Sequence, residues 1–294
     1  MQTLQTRIEL NMNKPITAIT QKQVAGLLPK RPRDSHKGLF GTVAVIGGAS
    51  GMIGAPLLAA RAALKLGAGC VHVCLLAENA PGVDPVQPEL MLHSAAEGFR
   101  QFSPGVIAIG CGMGTSKAAH KLLYEALKLT MPLVLDADAL NLLASHADFQ
   151  DDLRTRKQPS VLTPHPGEAA RLLGCESREV QADRVAAVQQ LAQEFGCSVV
   201  LKGADSLCAT RDGRLFVNKT GNPGMSSAGM GDVLTGMIAA FIAQGLTADD
   251  AMLLAVHLHG AAGDALAAQK AGIGMAATEV TEWARWLLNQ WVNS

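Results

Sequence analysis

From residue 41 onward, short apolar runs alternate with longer stretches whose apolar positions recur at helical spacing. Thr42-Val-Ala-Val-Ile46 is apolar and β-branched, the pattern of a strand buried on both faces. The spacing predicts a helix over Ala55–Leu66, with Pro56 tolerated in its first turn. Strands are expected at Val71–Leu75, Val106–Ile109, Leu133–Leu135, Val161–Leu162 and Val199–Leu201, and short helices at Ala139–Ser145 and Glu168–Leu173. Arg211-Asp-Gly213, between Ser206–Thr210 and Arg214–Asn218, predicts a hairpin. A Gly/Ser-rich loop then runs from Thr220 to Gly231, and three helices close the chain at Asp232–Gln244, Ala248–Gln269 and Thr278–Val292. Residues 1–35 are polar and mixed, an expected arm with one short helix around Gln21–Leu28. Strands alternating with helices imply βαβ units and a mainly parallel sheet, in one α/β domain over residues 36–294.

Composition narrows the class of partner. With 25 basic and 25 acidic side chains among 294 residues, the net charge is zero, which argues against a chain-wide affinity for nucleic acid or an anionic membrane. Hydrophobic residues make up 48%, too many for a disordered chain. The longest uncharged run, Gly38 to Ala60, has the length of a membrane span, but its glycines and Pro56 divide it into strand, turn and helix. The N-terminus lacks the apolar core of a secretory signal. None of the six cysteines forms a C-x-x-C pair or a zinc spacing, so reduced thiols in a cytoplasmic protein are expected.

The candidate chemistry sits where the strands end. In open α/β sheets ligands bind beyond the carboxyl ends of the strands, and the special residues of this chain follow them: Gly110-Cys-Gly-Met-Gly114, Asp136-Ala-Asp138, Thr163-Pro-His-Pro-Gly-Glu168 and Lys202-Gly-Ala-Asp-Ser206. The strongest local signal is Gly221-Asn-Pro-Gly-Met-Ser-Ser-Ala-Gly-Met-Gly-Asp232, a glycine-rich loop running into an apolar helix. Unpaired N–H groups at a helix start form an anion site, here around Gly229, Met230 and Gly231. Asp232 beside it is either a helix N-cap or a proton acceptor. His165, held between two prolines, is either part of a helix-capping turn or a side chain aimed at a ligand. Asp136 and Asp138 suit water-mediated Mg²⁺ binding, and Asp138 equally suits a helix cap. Lys202 is either a nucleotide contact or a solvated strand end. His257 and His259, two apart on a helix, face different ways and make a poor metal pair. A P-loop and a nucleophile elbow are absent, and Gly47-Gly-Ala-Ser-Gly-Met-Ile-Gly54 only approaches a dinucleotide fingerprint.

Five segments in order resemble the ADP/ATP-dependent NAD(P)H-hydrate dehydratases: the first strand with its Gly-Gly and Gly54-Ala-Pro56, Leu135-Asp-Ala-Asp-Ala-Leu-Asn141, Thr163-Pro-His-Pro-Gly-Glu168, Val200-Leu-Lys-Gly203, and Gly229-Met-Gly-Asp-Val-Leu-Thr-Gly236. The resemblance covers about residues 35 to 290. It implies a ribokinase-like fold, with a central mainly parallel sheet flanked by helices on both faces. It also implies repair of hydrated NADH and NADPH: the enzyme phosphorylates the hydroxyl of the S epimer from ADP or ATP, with Mg²⁺, and phosphate is then eliminated. Carried over, Ala55, Gly112, His165 and Asp232 contact the hydrated dinucleotide. Lys202, Gly203, Ala204, Asp205, Ser206 and Gly231 contact the adenine nucleotide, and Asp232 is the base. The direct metal ligands stay unassigned. Gly110-Cys-Gly-Met-Gly114 departs from the Gly-Pro-Gly version commoner in the family. Stand-alone members tend to use ADP and are often tetramers, and a separate epimerase is the expected functional partner, since about 35 residues ahead of the match are too few for one. The alternative is a ribokinase-like kinase for a small alcohol of the hydroxyethylthiazole or pyridoxal type, which shares the Gly-x-Gly-Asp loop.

Overall fold

The computed structural model describes residues 15–27, 30–269 and 272–293. Ten strands form one sheet: β1 (Ile16–Ala18), β2 (Thr42–Gly47), β3 (Cys70–Leu75), β4 (Met91–Ser94), β5 (Val106–Ile109), β6 (Leu133–Leu135), β7 (Ser160–Leu162), β8 (Ser198–Leu201), β9 (Leu207–Ala209) and β10 (Leu215–Val217). Their order is β1-β10-β9-β8-β7-β6-β5-β2-β3-β4. Among the described residues the pairings are parallel except β8–β9 and the β9–β10 hairpin, which are antiparallel.

Among the described residues eleven α-helices cover the sheet. In chain order they are α1 (Gln21–Val24), α2 (Gly54–Lys65), α3 (Lys117–Leu127), α4 (Asp138–Ser145), α5 (Ala147–Thr155), α6 (Pro166–Leu173), α7 (Ser177–Ala182), α8 (Arg184–Phe195), α9 (Met230–Ala243), α10 (Ala248–Gln269) and α11 (Ala277–Asn293). Because successive strand residues point to opposite faces, each central strand feeds two cores. Val43, Val45, Val106, Ala108 and Val134 pack under α2, α9, α10 and α11. Ala44, Ile46, Ile107, Ile109 and Leu133 pack under α3 to α8. This is the expected ribokinase-like architecture. α10 is long and apolar enough to cross a membrane by composition, but it lies mostly buried inside the fold.

The helix pair α2–α9 sits unusually close. A Cβ on Gly236 would lie 2.0 Å from the Ala59 carbonyl oxygen, so only glycine fits where the two backbones meet. Two edge strands fall outside the expected set. β1 pairs in parallel with β10, and Ile19 behind it is buried, so part of the segment before residue 36 belongs to the sheet. The expected helix around Gln21–Leu28 is observed over Gln21–Val24, and Leu28 lies outside the described residues.

Candidate functional site

The strand order reverses at β5–β2–β3, so the loops after β2 and β5 leave in opposite directions and open a crevice between them. They are laced together: Gly48 N–H donates to the Cys111 carbonyl at 3.1 Å and Ala49 N–H to that of Gly112 at 2.7 Å. Gly112 has φ +56°, and a Cβ on it would meet the Met52 carbonyl oxygen at 2.7 Å and the Ala55 methyl at 3.1 Å. Ala55 and Gly112, expected in one site from separate motifs, are therefore neighbours.

The helix start beside this crevice belongs to α9. Its N-cap is Gly229 (φ +90°), with no side chain capping it. The first-turn N–H groups are left for a ligand. Asp232 lies inside that first turn rather than at the cap, so the capping alternative is not what is observed. Burial pushes its carboxyl up to about 6, with the charge of Asp136 adding to the effect and a hydrogen bond from Cys111 opposing it. Cys111 is fully buried, which holds its thiol protonated and able to donate. Its Sγ and the carboxylate oxygens of Asp136 and Asp232 all lie within 4.8 Å of one another.

Asp136 is buried, and its oxygens are taken: Oδ1 by Lys202 Nζ at 2.7 Å, Oδ2 by the Thr235 hydroxyl at 2.8 Å. Burial alone would raise this carboxyl, but the Lys202 ammonium and the hydroxyl donors hold it below the usual range. Lys202 is therefore no solvated strand end. Burial opposes its charge, yet Asp136 and Glu168 hold its pKa above that of an ordinary lysine. Glu168, 3.9 Å from the same ammonium, is pushed up by burial and only partly pulled back by Lys202. Asp138 turns away from any metal role: Oδ2 accepts from Gly114 N–H at 2.8 Å and Oδ1 from Asn141 at 3.1 Å, with Ala137 one residue earlier at the start of α4.

His165 is the N-cap of α6. Nδ1 accepts from Gly167 N–H at 3.0 Å and Glu168 N–H at 3.3 Å, and Glu168 Oε2 accepts from the His165 N–H at 2.8 Å, a reciprocal capping box. The ring stays half-exposed, with Nε2 3.3 Å from Glu168 Oε1, and the helix-capping reading is the one observed. Asp232, Cys111, Asp136, Lys202, Glu168 and His165 form one continuous polar chain across the ends of β5 to β8.

On the other side of Lys202 lies a cavity of about 490 Å³, lined by Lys202–Ser206, Asn218–Pro223, Met230, Gly231, Val256, His259 and Gly260 among others. All six residues expected at the nucleotide line it. Gly203 has φ +139°, and Arg184 spans the loop by donating to the carbonyls of Leu201, Lys202 and Ala204. Asp205 pairs with Lys219 at 2.7 Å. The opposite wall was not foreseen. Asn218 binds the Thr220 hydroxyl, the His257 ring and the Val256 carbonyl, and Asp264 accepts from Gly221 N–H and Asn222, so α10 pins the loop. The Thr220–Gly231 loop of this wall is marked in the sequence by its glycines and serines, whereas its ties to α10 carry no local signal.

As for Mg²⁺, the nearby donor set is a protonated thiol, a carboxylate already paired with Lys202, and Asp232. A hard cation that prefers oxygen ligands and keeps its water is poorly served by these groups, and they do not fit a resident Mg²⁺.

A family model described as NAD(P)H-hydrate dehydratase matches residues 43–285. The ADP-dependent (S)-NAD(P)H-hydrate dehydratase of Neisseria meningitidis is 45% identical over 265 residues, 88% of this chain and 89% of that protein. The bifunctional NAD(P)H-hydrate repair enzyme Nnr of Coxiella burnetii is 42% identical over 272 residues, 91% of this chain but 54% of its own length. Among solved structures, the Bacillus subtilis ADP/ATP-dependent NAD(P)H-hydrate dehydratase, co-crystallised with ATP/Mg²⁺, superposes with a TM-score of 0.83 at 30% identity, covering 95% of this chain and 99% of that one.

Proposed function

The chain belongs to the NAD(P)H-hydrate dehydratase family, and from that membership we propose that it regenerates NADH and NADPH from the S epimers of their hydrates at the expense of ADP. The observation that carries the reading is Asp232: a carboxylate with its pKa at about 6, in the first turn of an uncapped helix, between the crevice and the cavity. Asp232 accepts the proton of the hydrate hydroxyl as that oxygen attacks the terminal phosphorus of ADP, and AMP leaves. The N–H groups of Gly229, Met230 and Gly231 and the first-turn dipole stabilise charge on the phosphoryl oxygens in flight. Phosphate then departs from the ring as the neighbouring C–H bond supplies the electrons of the restored double bond and its proton passes to water. Per turnover, hydrate plus ADP gives NADH, AMP and phosphate.

Ala55, Gly112 and His165 border the crevice that takes the hydrated nicotinamide dinucleotide; Lys202–Ser206 and Gly231 take the adenine nucleotide. Mg²⁺, named with ATP in the Bacillus subtilis co-crystal, would accompany the nucleotide rather than be held by these side chains. An NAD(P)H-hydrate epimerase supplies the S form, a pairing that the bifunctional repair enzymes among the relatives support. Six free cysteines, four of them buried, support a reducing, cytoplasmic setting. A tetramer is the proposed assembly; exposed Tyr124 and Trp286 offer apolar surface to it, and light scattering checks it.

The deciding experiment mixes the protein with hydrated NADH and either ADP or ATP and follows the return of NADH absorbance. Recovery of NADH with AMP and phosphate in equal amounts is expected with ADP. A small-alcohol kinase would leave the hydrate unchanged.

A further inference from the structure

β4 ends the strand order at the side of the sheet remote from the nucleotide cavity. It runs parallel to β3, with His72 paired to Met91 and Cys74 to His93. Residues two apart on a strand share a face, so His72 and His93 stand on one face as diagonal neighbours. Their rings meet there: His72 Nδ1 lies 3.0 Å from His93 Nε2. Two imidazole nitrogens this close need one to donate and the other to accept, so at least one ring is neutral. Phe102, from the short turn Arg100–Phe102 ahead of β5, holds the two rings in place. Its ring centroid is 4.3 Å from that of His72, at an interplanar angle of 7°, and 4.1 Å from that of His93. Both histidines are partly exposed, so the pair is within reach of solutes.

One hydrogen now separates the two nitrogens, and a metal ion can stand in its place. Two imidazole bonds of ~2.0–2.1 Å to one ion, meeting at ~90–110°, put their nitrogens ~2.9–3.4 Å apart. The observed gap falls inside that range, so the rings need little movement to ligate. The hydrogen between them shifts to the outer nitrogen of its own ring, and two neutral imidazoles then present their lone pairs. Imidazole suits Zn²⁺, Ni²⁺ and Cu²⁺, whereas Mg²⁺ prefers oxygen. Such an ion is therefore distinct from any Mg²⁺ that travels with the nucleotide. Neither histidine lines the nucleotide cavity.

We propose that His72 Nδ1 and His93 Nε2 form a binding site for one late first-row divalent cation of the Zn²⁺ class, which clips the terminal strand β4 to β3 with water completing its coordination. The site stands apart from the phosphoryl-transfer chemistry and does not depend on it.

Calorimetry with Zn²⁺, on protein first stripped by a chelator, tests it in the wild type, His72→Asn, His93→Gln and His120→Asn. Asn puts an amide near the Nδ1 position and Gln near Nε2, so the first two variants keep a hydrogen-bonding group and lose the imidazole ligand. His120, whose ring centroid is 4.7 Å from that of His146, controls for a second pair of histidines in ring contact. The wild type should bind Zn²⁺ and melt higher in its presence, and excess Mg²⁺ should not compete. His72→Asn and His93→Gln should each weaken Zn²⁺ binding ~10-fold or more and lose the rise in Tm; His120→Asn should lose neither. Electron paramagnetic resonance of the Cu²⁺-loaded wild type should show coupling to two imidazole nitrogens. A wild type that takes up no Zn²⁺ at millimolar concentration overturns the proposal. So does binding that survives undiminished in His72→Asn or His93→Gln, or that is lost in His120→Asn. Should either ligand variant fail to fold, the Cu²⁺ spectra of the wild type and His120→Asn decide: two coupled nitrogens in both support the site, and fewer in either overturn it.

Discussion

Asp232 differs from its neighbour Asp136 in how burial is answered. Asp136 has Lys202 and Thr235 on its oxygens and stays ionised; Asp232 has a protonated thiol and another carboxylate nearby, and its carboxyl rises to about 6. A pKa raised on folding means that the native state holds this proton more tightly than the unfolded chain. The stability gained is fully present below the ordinary value of about 3.9 and is lost as pH rises through about 6. Above that, the ionised carboxylate is a burden on the fold, on the order of 1–3 kcal/mol. Asp232→Asn removes both the burden and the base. The cap at Gly229 is untouched, so the variant should fold, bind ADP, and melt higher than the parent at pH 8 but no higher at pH 4. Its kcat should fall by ~10²–10⁴. The parent's kcat should decline as pH drops through about 6, and this acid limb should be missing from the residual activity of Asp232→Asn. Turnover near the parental level in the variant would remove Asp232 from the mechanism.

The elements that hold the site are set by close backbone approach, and their legibility in the sequence follows from the same physics. β5 and β6 match their expected spans because a strand buried on both faces is a plain apolar run. β1 and β4 were invisible: three and four residues, partly exposed at the sheet edges, show too little alternation to read. α9 begins at Met230, two residues before the expected start, because Gly229 at positive φ caps it without a side chain. α10 is mostly core, yet its Gly260 also sets the nucleotide wall. An alanine there gains about 1 kcal/mol of helix propensity but puts a Cβ 2.3 Å from Thr220 Oγ1 and 2.7 Å from its backbone. Overpacking of that kind costs about 1–3 kcal/mol, so the melting temperature should fall only modestly. The strain goes into the Thr220–Met225 loop. Gly260→Ala should therefore raise KM for ADP several-fold and leave KM for the hydrate near the parent's. An equal rise in both would mean that the loop serves the two substrates alike.

At the scale of the whole molecule, the site exists only because strand order brings together segments far apart in sequence. The glycine loops and Asp232 could be read locally, since each follows a strand or opens a helix. The Lys202–Asp136 pair spans 66 residues, and the Asn218–His257 tie spans 39; both depend on where β6, β8 and α10 stand in the sheet and its covering layer, which no local pattern states. The nucleotide cavity consequently joins β8, the end of β10, α9 and α10, elements from both ends of the chain's second half. A ligand that bridges them should stabilise the native state by mass action, about 2.7 kcal/mol at a hundred times its Kd. For a chain of this size that corresponds to a rise of roughly 4–5 °C in Tm. Amides that exchange by local opening should slow in Lys202–Ser206, Asn218–Met225 and the first turn of α9, and stay unchanged in α3, which lies on the opposite face and does not line the cavity. Because Asp232→Asn leaves the nucleotide wall intact, it should show the same ADP-dependent shift as the parent. A Tm indifferent to ADP, with unchanged exchange around Lys202, would mean that the cavity is not where the nucleotide binds.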